Sequence, residues 1–369
     1  MFTLSNHISF THYGISRLKK KKEIAEAYNI PIDSILDLSG GDNLFIPPKI
    51  IQNLIIKEIQ EIDPRESYPV NYNSFLTELS RFVGVEKEQV FTGISHNQLI
   101  QKTLTLFANP KDTILLLSPD KEIYRSIAKN LGLNIHEVVL DSRTEINLSM
   151  VDSIIRKVNP KIIVFSSPHY PTAIQFNQSN ITSLIKEVEI PVIVDESYVE
   201  FGKYSLLNQV KHHENLIVVR TFAKAWGLGA FSCAYLVAKK SIITKFYQQY
   251  LFSEIPPLHI IVTTKVLQSP YRFVEHINKF IMERKRVIEH LRMMSGITVN
   301  NSDTNFLFVK FKDSIDELYT QFLSKGIIIK TFKNSYPFPD HDKYFLVTLG
   351  EISINDRLIL SIAEILESI

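Results

Sequence analysis

Between residues 89 and 238, short runs of β-branched and apolar residues alternate with amphipathic stretches, and this alternation restricts the fold more than any other feature. The runs fall at 89–92, 113–118, 136–140, 161–166, 191–195, 216–220 and 233–238. Most are separated by stretches with helical spacing of apolar residues, as at 97–107, 123–131, 150–158 and 179–188. Near-continuous apolar strands must be covered on both faces, and strands joined by crossover helices run parallel. The pattern predicts an α/β fold, with a large domain built on a mostly parallel seven-stranded sheet covered by helices. Sites in such sheets lie beyond the carboxyl ends of the strands. Three predicted strand ends are polar there: Ser166-Ser167-Pro168, Asp195-Glu196 and Arg220-Thr221.

After Pro256-Pro257 the pattern changes. One long helical stretch is expected over 258–294, then strands at 304–310 and 326–331, a helix near 314–323, a strand at 344–349 and a terminal helix at 355–368. This mixture predicts a smaller α+β domain from the C-terminal third, with the N-terminal segment packed on it. The expected division is an N-terminal segment 1–47, a large domain 48–257 and a small domain 258–369. The basic run at 19–22 opens a helical pattern and is read as its solvated face.

Charge and cysteine usage exclude several classes. A formal net charge of +2 over 369 residues gives no footprint for nucleic acid or a membrane surface. The single cysteine, Cys233, rules out a disulfide framework and predicts a reducing compartment. The opening MFTLSNHISF has neither the charged flank nor the apolar core of a signal peptide, so a cytoplasmic enzyme is expected. His212-His213 sit in a polar stretch and the other histidines are scattered, so no metal site is expected.

The most chemically suggestive segment is LIVVRTFAKAWGLGAFSCAYLVA, residues 216–238. A lysine held between two apolar runs, as Lys224 is, loses solvent; its pKa falls and its amine becomes nucleophilic. That is the state in which lysine forms a Schiff base with an aldehyde cofactor. Alone, such a lysine is more often a solvated loop residue.

It is not alone. Leu38-Ser39-Gly40-Gly41-Asp42-Asn43, Tyr68-Pro69 and Phe91-Thr92-Gly93 precede Ser167-Pro168-His169-Tyr170-Pro171-Thr172, which is similar to an NPNNPTG loop. VIVDESYVEF at 192–201 is similar to VVDEAYxEF, and RTFAKAWGL at 220–228 to RTFSKAFGL. Thr304-Asn305-Phe306-Leu307 is similar to an ANF segment. In order and spacing, over residues 36–365, the chain resembles fold type I pyridoxal-phosphate-dependent aminotransferases of the histidinol-phosphate aminotransferase-like branch.

The resemblance implies roles. Lys224 would hold pyridoxal 5'-phosphate and move the substrate's α-proton, and Asp195 would pair with the pyridine nitrogen. Tyr198 and Tyr170 would donate to the cofactor's phenolic oxygen. Thr221 and the turn Ser95-His96-Asn97, at a helix N-terminus, would hold its phosphate. Tyr68 would reach the phosphate of a neighbouring subunit, which implies a homodimer. The expected small-molecule partners are an amino donor and an α-keto acid acceptor.

The chain also departs from the pattern. Ser232 stands where the resemblance carries a phosphate-clamping arginine, Lys121 where it stacks an aromatic ring, and Leu346 where an arginine grips the substrate. Lys330, Lys333 and Arg357 are candidates for a replacement cation. These departures predict an altered phosphate cup and a non-standard amino acid or amine substrate in specialised metabolism. The alternatives are another outcome on the same cofactor (decarboxylation, elimination or cyclisation) and a non-catalytic binding protein.

Overall fold

In a computed structural model, which describes residues 13–63, 65, 71–140, 146–250, 255–332, 338 and 340–368, the 89–238 alternation becomes one seven-stranded sheet. Its spatial order is Val90–Gly93, Ala234–Val237, Leu216–Thr221, Val192–Asp195, Ile162–Ser166, Thr113–Ser118, Asn134–Val139. Ala234–Val237 is antiparallel to both neighbours and every other pairing is parallel.

Side chains alternate across a strand, so each strand feeds two cores. Leu216 and Val218 join one with Ile163, Phe165 and Val194, whereas Ile217 and Val219 join the other with Ile162, Val164 and Ile193. Helices cover both faces, and short polar side chains start them. Asn71, Ser95, Asn147 and Asn177 accept backbone N–H bonds from Ser74, Gln98, Met150 and Ser179, satisfying donors that a first helical turn leaves open.

A second sheet is antiparallel, in the order Lys330–Thr331, Tyr344–Thr348, Phe306–Phe311, Ile297–Val299. Its two faces do different jobs. Phe345 points to the helix Ile315–Ser324, its ring 5.7 Å from that of Phe322. Phe306 and its register partner Thr348 point to the large sheet, where the Phe306 ring meets Tyr198 edge-on at 5.2 Å. The N-terminal segment runs alongside: Leu36–Asp37 pairs in parallel with Ile327–Ile328, and Leu44 bridges Gly350. That pairing carries Gly40 and Gly41 to the gap between the sheets, where Gly41 N donates to Thr348 Oγ1 at 2.9 Å.

The expected long helix over 258–294 is two helices, Pro257–Gln268 and Tyr271–Arg292. Pro270 separates them because it has no N–H to continue the first ladder, while its fixed φ suits the start of the second. The basic run lies within the helix Tyr13–Tyr28; Lys19 and Lys22 are exposed, whereas Lys21 Nζ donates to the Ile35 carbonyl at 3.0 Å. Among the described residues no helix is long and apolar enough to cross a membrane, and no cluster of three or more His, Cys, Asp or Glu side chains could hold a metal ion.

Candidate active site

Parallel strands end on one side, so the sheet delivers its polar strand ends to one edge. Ser166 and Asp195 are register partners there, and Thr221 lies two residues beyond Val219, the partner of Asp195. Lys121 follows Ser118, the end of the next strand out. Lys224 follows Thr221 by three residues.

The Lys224 amine is held by backbone. Its Nζ donates to the carbonyls of Gly41 at 3.1 Å and Gly40 at 3.5 Å, and lies 5.6 Å from the centre of the Tyr198 ring. Asn43 Nδ2 fixes the main chain beneath, donating to the carbonyls of Lys224 at 2.9 Å and Ala225 at 3.0 Å. Gly41 has φ +61, and a Cβ there would stand 3.0 Å from Tyr198 Oη and 3.7 Å from Lys224 Nζ. The glycine keeps open the space that these two groups share. Arg17 braces the same loop from outside, its Nε 2.6 Å from Asp37 and its Nη1 2.5 Å from Asp42.

Asp195 is fully buried and surrounded by donors. Ser197 gives its backbone N–H (2.9 Å) and its hydroxyl to Oδ1; Lys121 Nζ and Tyr124 Oη each reach Oδ2 at 2.6 Å. Burial alone would push the carboxyl up. The Lys121 ammonium, His96 and the bonds from Lys121 and Ser197 instead hold it well below the usual carboxylate range. His96, at the first turn of the helix His96–Phe107, feels Asp195, Lys121 and Lys224 together. Its imidazole is pushed down to about 3, by burial first and then by the two ammonium groups against the pull of Asp195. Behind Lys121, Asp120 accepts from Ser166 N and Oγ at 2.7 Å each; burial carries its carboxyl up to about 7.

The other expected residues distribute unevenly. Tyr170 packs edge-on against the same Phe306 ring that Tyr198 meets, at 5.6 Å. Ser95 caps its helix by accepting from Gln98 N at 3.2 Å, and Asn97 Oδ1 is buried with no hydrogen-bond partner among the described residues. Thr221 Oγ1 accepts from Ala223 N at 3.1 Å. Ser232 offers no charge, and its carbonyl meets His259 Nδ1 at 2.9 Å. Tyr68 lies outside the described residues.

Three participants escaped the sequence reading: Gly41, Tyr124 and the pairing of Lys121 with Asp195. The signal available for Lys121 was its place just past a strand end on the edge that carries Asp195.

The family described as aminotransferase class I and II matches residues 33–337. The chain belongs to that family. Among relatives of this class I and II aminotransferase, histidinol-phosphate aminotransferase of Thermoanaerobacter sp. (strain X514) is 30% identical over 345 residues, 92% of this chain and 95% of that protein. The structure of histidinol-phosphate aminotransferase from Sinorhizobium meliloti in complex with pyridoxal-5'-phosphate shares the fold at TM-score 0.82 and 15% identity, covering 99% of this chain and 100% of that one. L-threonine-O-3-phosphate decarboxylase from Porphyromonas gingivalis shares it at TM-score 0.76 and 18% identity, covering 90% of this chain and 100% of that one.

Proposed function

We propose that this aminotransferase binds pyridoxal 5'-phosphate between the two sheets and moves an amino group on a small amino acid or amine, as a homodimer. The observation that carries the reading is the Lys224 amine, 5.6 Å from the Tyr198 ring centre in a space cleared by Gly41, on the edge where Asp195 is buried. The helix His96–Phe107 starts with backbone N–H groups that have no intrahelical partner, and such a start suits an incoming phosphate ester. Bound there, the cofactor supplies an aldehyde that condenses with amines and a ring that draws electrons from the neighbouring carbon. With it bound, Lys224 would take and return the α-proton at Nζ, Tyr198 Oη would donate to the phenolic oxygen, and Asp195 would pair with the ring nitrogen. Addition of pyridoxal phosphate to the purified protein is expected to give a visible absorption band that Lys224→Ala abolishes; a band surviving that change sinks the assignment.

Substrate anchoring differs from the pattern the motifs follow. Leu346 is buried and apolar, so it grips nothing charged. Its register partner is Lys330, on the sheet face that also carries Phe306 and Thr348. Burial lowers the Lys330 pKa, with Glu122 pulling it back up and Lys20 adding to the fall. A half-buried ammonium beside Leu346 is suited to a substrate carboxylate or phosphate. Lys330→Met is therefore expected to raise KM for the best amino donor about tenfold, worth ~1.4 kcal/mol, with kcat nearly unchanged. An unchanged KM assigns the anchor elsewhere.

The same anchor favours a second reading, in which another bond to the α-carbon breaks, as in decarboxylation. A single cation in place of an arginine fork holds a carboxylate less rigidly. Strict dependence of product formation on an α-keto acid supports transfer, and product formed without one supports the second reading.

A further inference from the structure

Arg284, in the helix Tyr271–Arg292, is only 5% exposed, and among the described residues no carboxylate pairs with it. Its partners are carbonyls: Nη1 donates to Thr304 at 2.7 Å and Nη2 to Phe201 at 3.2 Å. A guanidinium has five N–H donors, so these two bonds leave three without a partner among the described residues. A charge buried without a counter-ion is costly, and burial pushes this group down to about 10 with Asp303 pulling against the fall. Asp303 is itself engaged: its Oδ2 accepts from Lys203 Nζ at 3.0 Å and Gln175 N at 2.9 Å.

Arg284 does not end in packed protein. It lines a cavity of about 480 Å³ that also carries Lys203, Lys285 and Arg292. Two carboxylates, Glu289 and Asp303, line it against these four cations, which leaves a surplus of two positive charges. Arg292 is bonded only to neutral groups, the Val299 carbonyl and Asn301 Oδ1. None of Asp195, Tyr198, Lys224 and Lys330 lines this cavity.

We propose that the cavity is a binding site for a dianionic oxyanion, inorganic phosphate or the phosphate of a small monoester, held by Arg284 between Lys285 and Arg292. Such a group carries close to two negative charges at neutral pH, and its oxygens match the fork of a guanidinium. The site also joins the two sheets. Phe201 lies just past the strand Val192–Asp195 and Thr304 just before Phe306–Phe311, so an anion on the remaining donors of Arg284 steadies that junction.

The test titrates inorganic phosphate into the full chain, freed of excess cofactor and at constant ionic strength, and follows the heat. The wild-type protein is expected to show a saturable site. Lys285→Glu and Arg292→Glu, at exposed positions, are each expected to weaken it at least tenfold, and Arg284→Lys, which keeps the charge but loses the fork, about tenfold. Lys330→Met and the surface reversal Lys240→Glu are expected to leave it unchanged. Displacement of the phosphate by glycerol 1-phosphate assigns the site to monoesters, and failure to displace it assigns the site to the free ion; both uphold the site. Absence of saturable binding to the wild-type protein overturns the proposal. So does binding that survives both folded rim variants, that Lys330→Met abolishes, or that Lys240→Glu weakens as much as they do. The rim variants decide the matter even if Arg284→Lys fails to fold.

Discussion

Replacing Asp195 by alanine is expected to destabilise the apoprotein by ~3–5 kcal/mol, the cost of breaking a buried ion pair and leaving its partner uncompensated. The partner is Lys121, 2.6 Å away and 11% exposed, against 0% for the Asp195 side chain. Tyr124 and Ser197 lose their acceptor at the same time. Urea unfolding of cofactor-free protein measures this without the added stabilisation that ligand binding brings. The Lys121→Met/Asp195→Ala double variant is expected to recover part of the loss, because it removes the stranded charge; additive losses would mean that the pair is not coupled. The pH dependence has a definite sign. Asp195 is held below its unfolded value near 3.9, so its contribution is complete above that value and drains away as pH falls towards the folded one. Asp195→Ala should therefore flatten the acid limb of the stability profile and leave the neutral region parallel to wild type.

The parts of this molecule that could be read from the chain share a physical cause. Residues such as those at 162–165 and 192–194 are apolar at every position because both faces of their strands are buried, and that requirement is local enough to leave an unbroken run. That Asp195, Tyr198, Thr221 and Lys224 fall at or just past strand ends on one edge was likewise legible, whereas the roles given to them rest on the family resemblance. The misread helix at 258–294 had its warning in Pro270, a residue that interrupts one ladder while starting another. What stayed hidden depends on pairings between distant segments. Lys121 reaches Asp195 across 74 positions, and nothing about a Ser-Pro-Asp-Lys turn says that its ammonium will face a carboxylate two strands away. Lys330, one of three candidate cations in the sequence, is set apart from the others only by its register with Leu346.

Gly41 is the other residue whose importance the chain conceals, and Gly41→Val is expected to lower kcat/KM by about 100-fold, the scale of loss from misplacing reacting groups by an ångström. Two effects combine there. At φ +61 a β-branched residue is strained by ~1–3 kcal/mol, and its Cβ would press on Tyr198 Oη at 3.0 Å. The valine methyls extend further into the space beside Lys224 Nζ, which is 3.7 Å from that Cβ position. The backbone cannot retreat, because Gly41 N is tied to Thr348 Oγ1 and its carbonyl accepts from Lys224 Nζ and Asn305 Nδ2. Gly84 separates the two effects. It has φ +77 with nothing within 4 Å of a Cβ, so Gly84→Val carries the backbone strain without touching the site. It should lose stability and keep kcat/KM within about twofold, since strain remote from the reacting groups acts on folding. If both valines cost the same activity, strain alone explains Gly41; if only Gly41→Val does, the space it clears is where the chemistry happens.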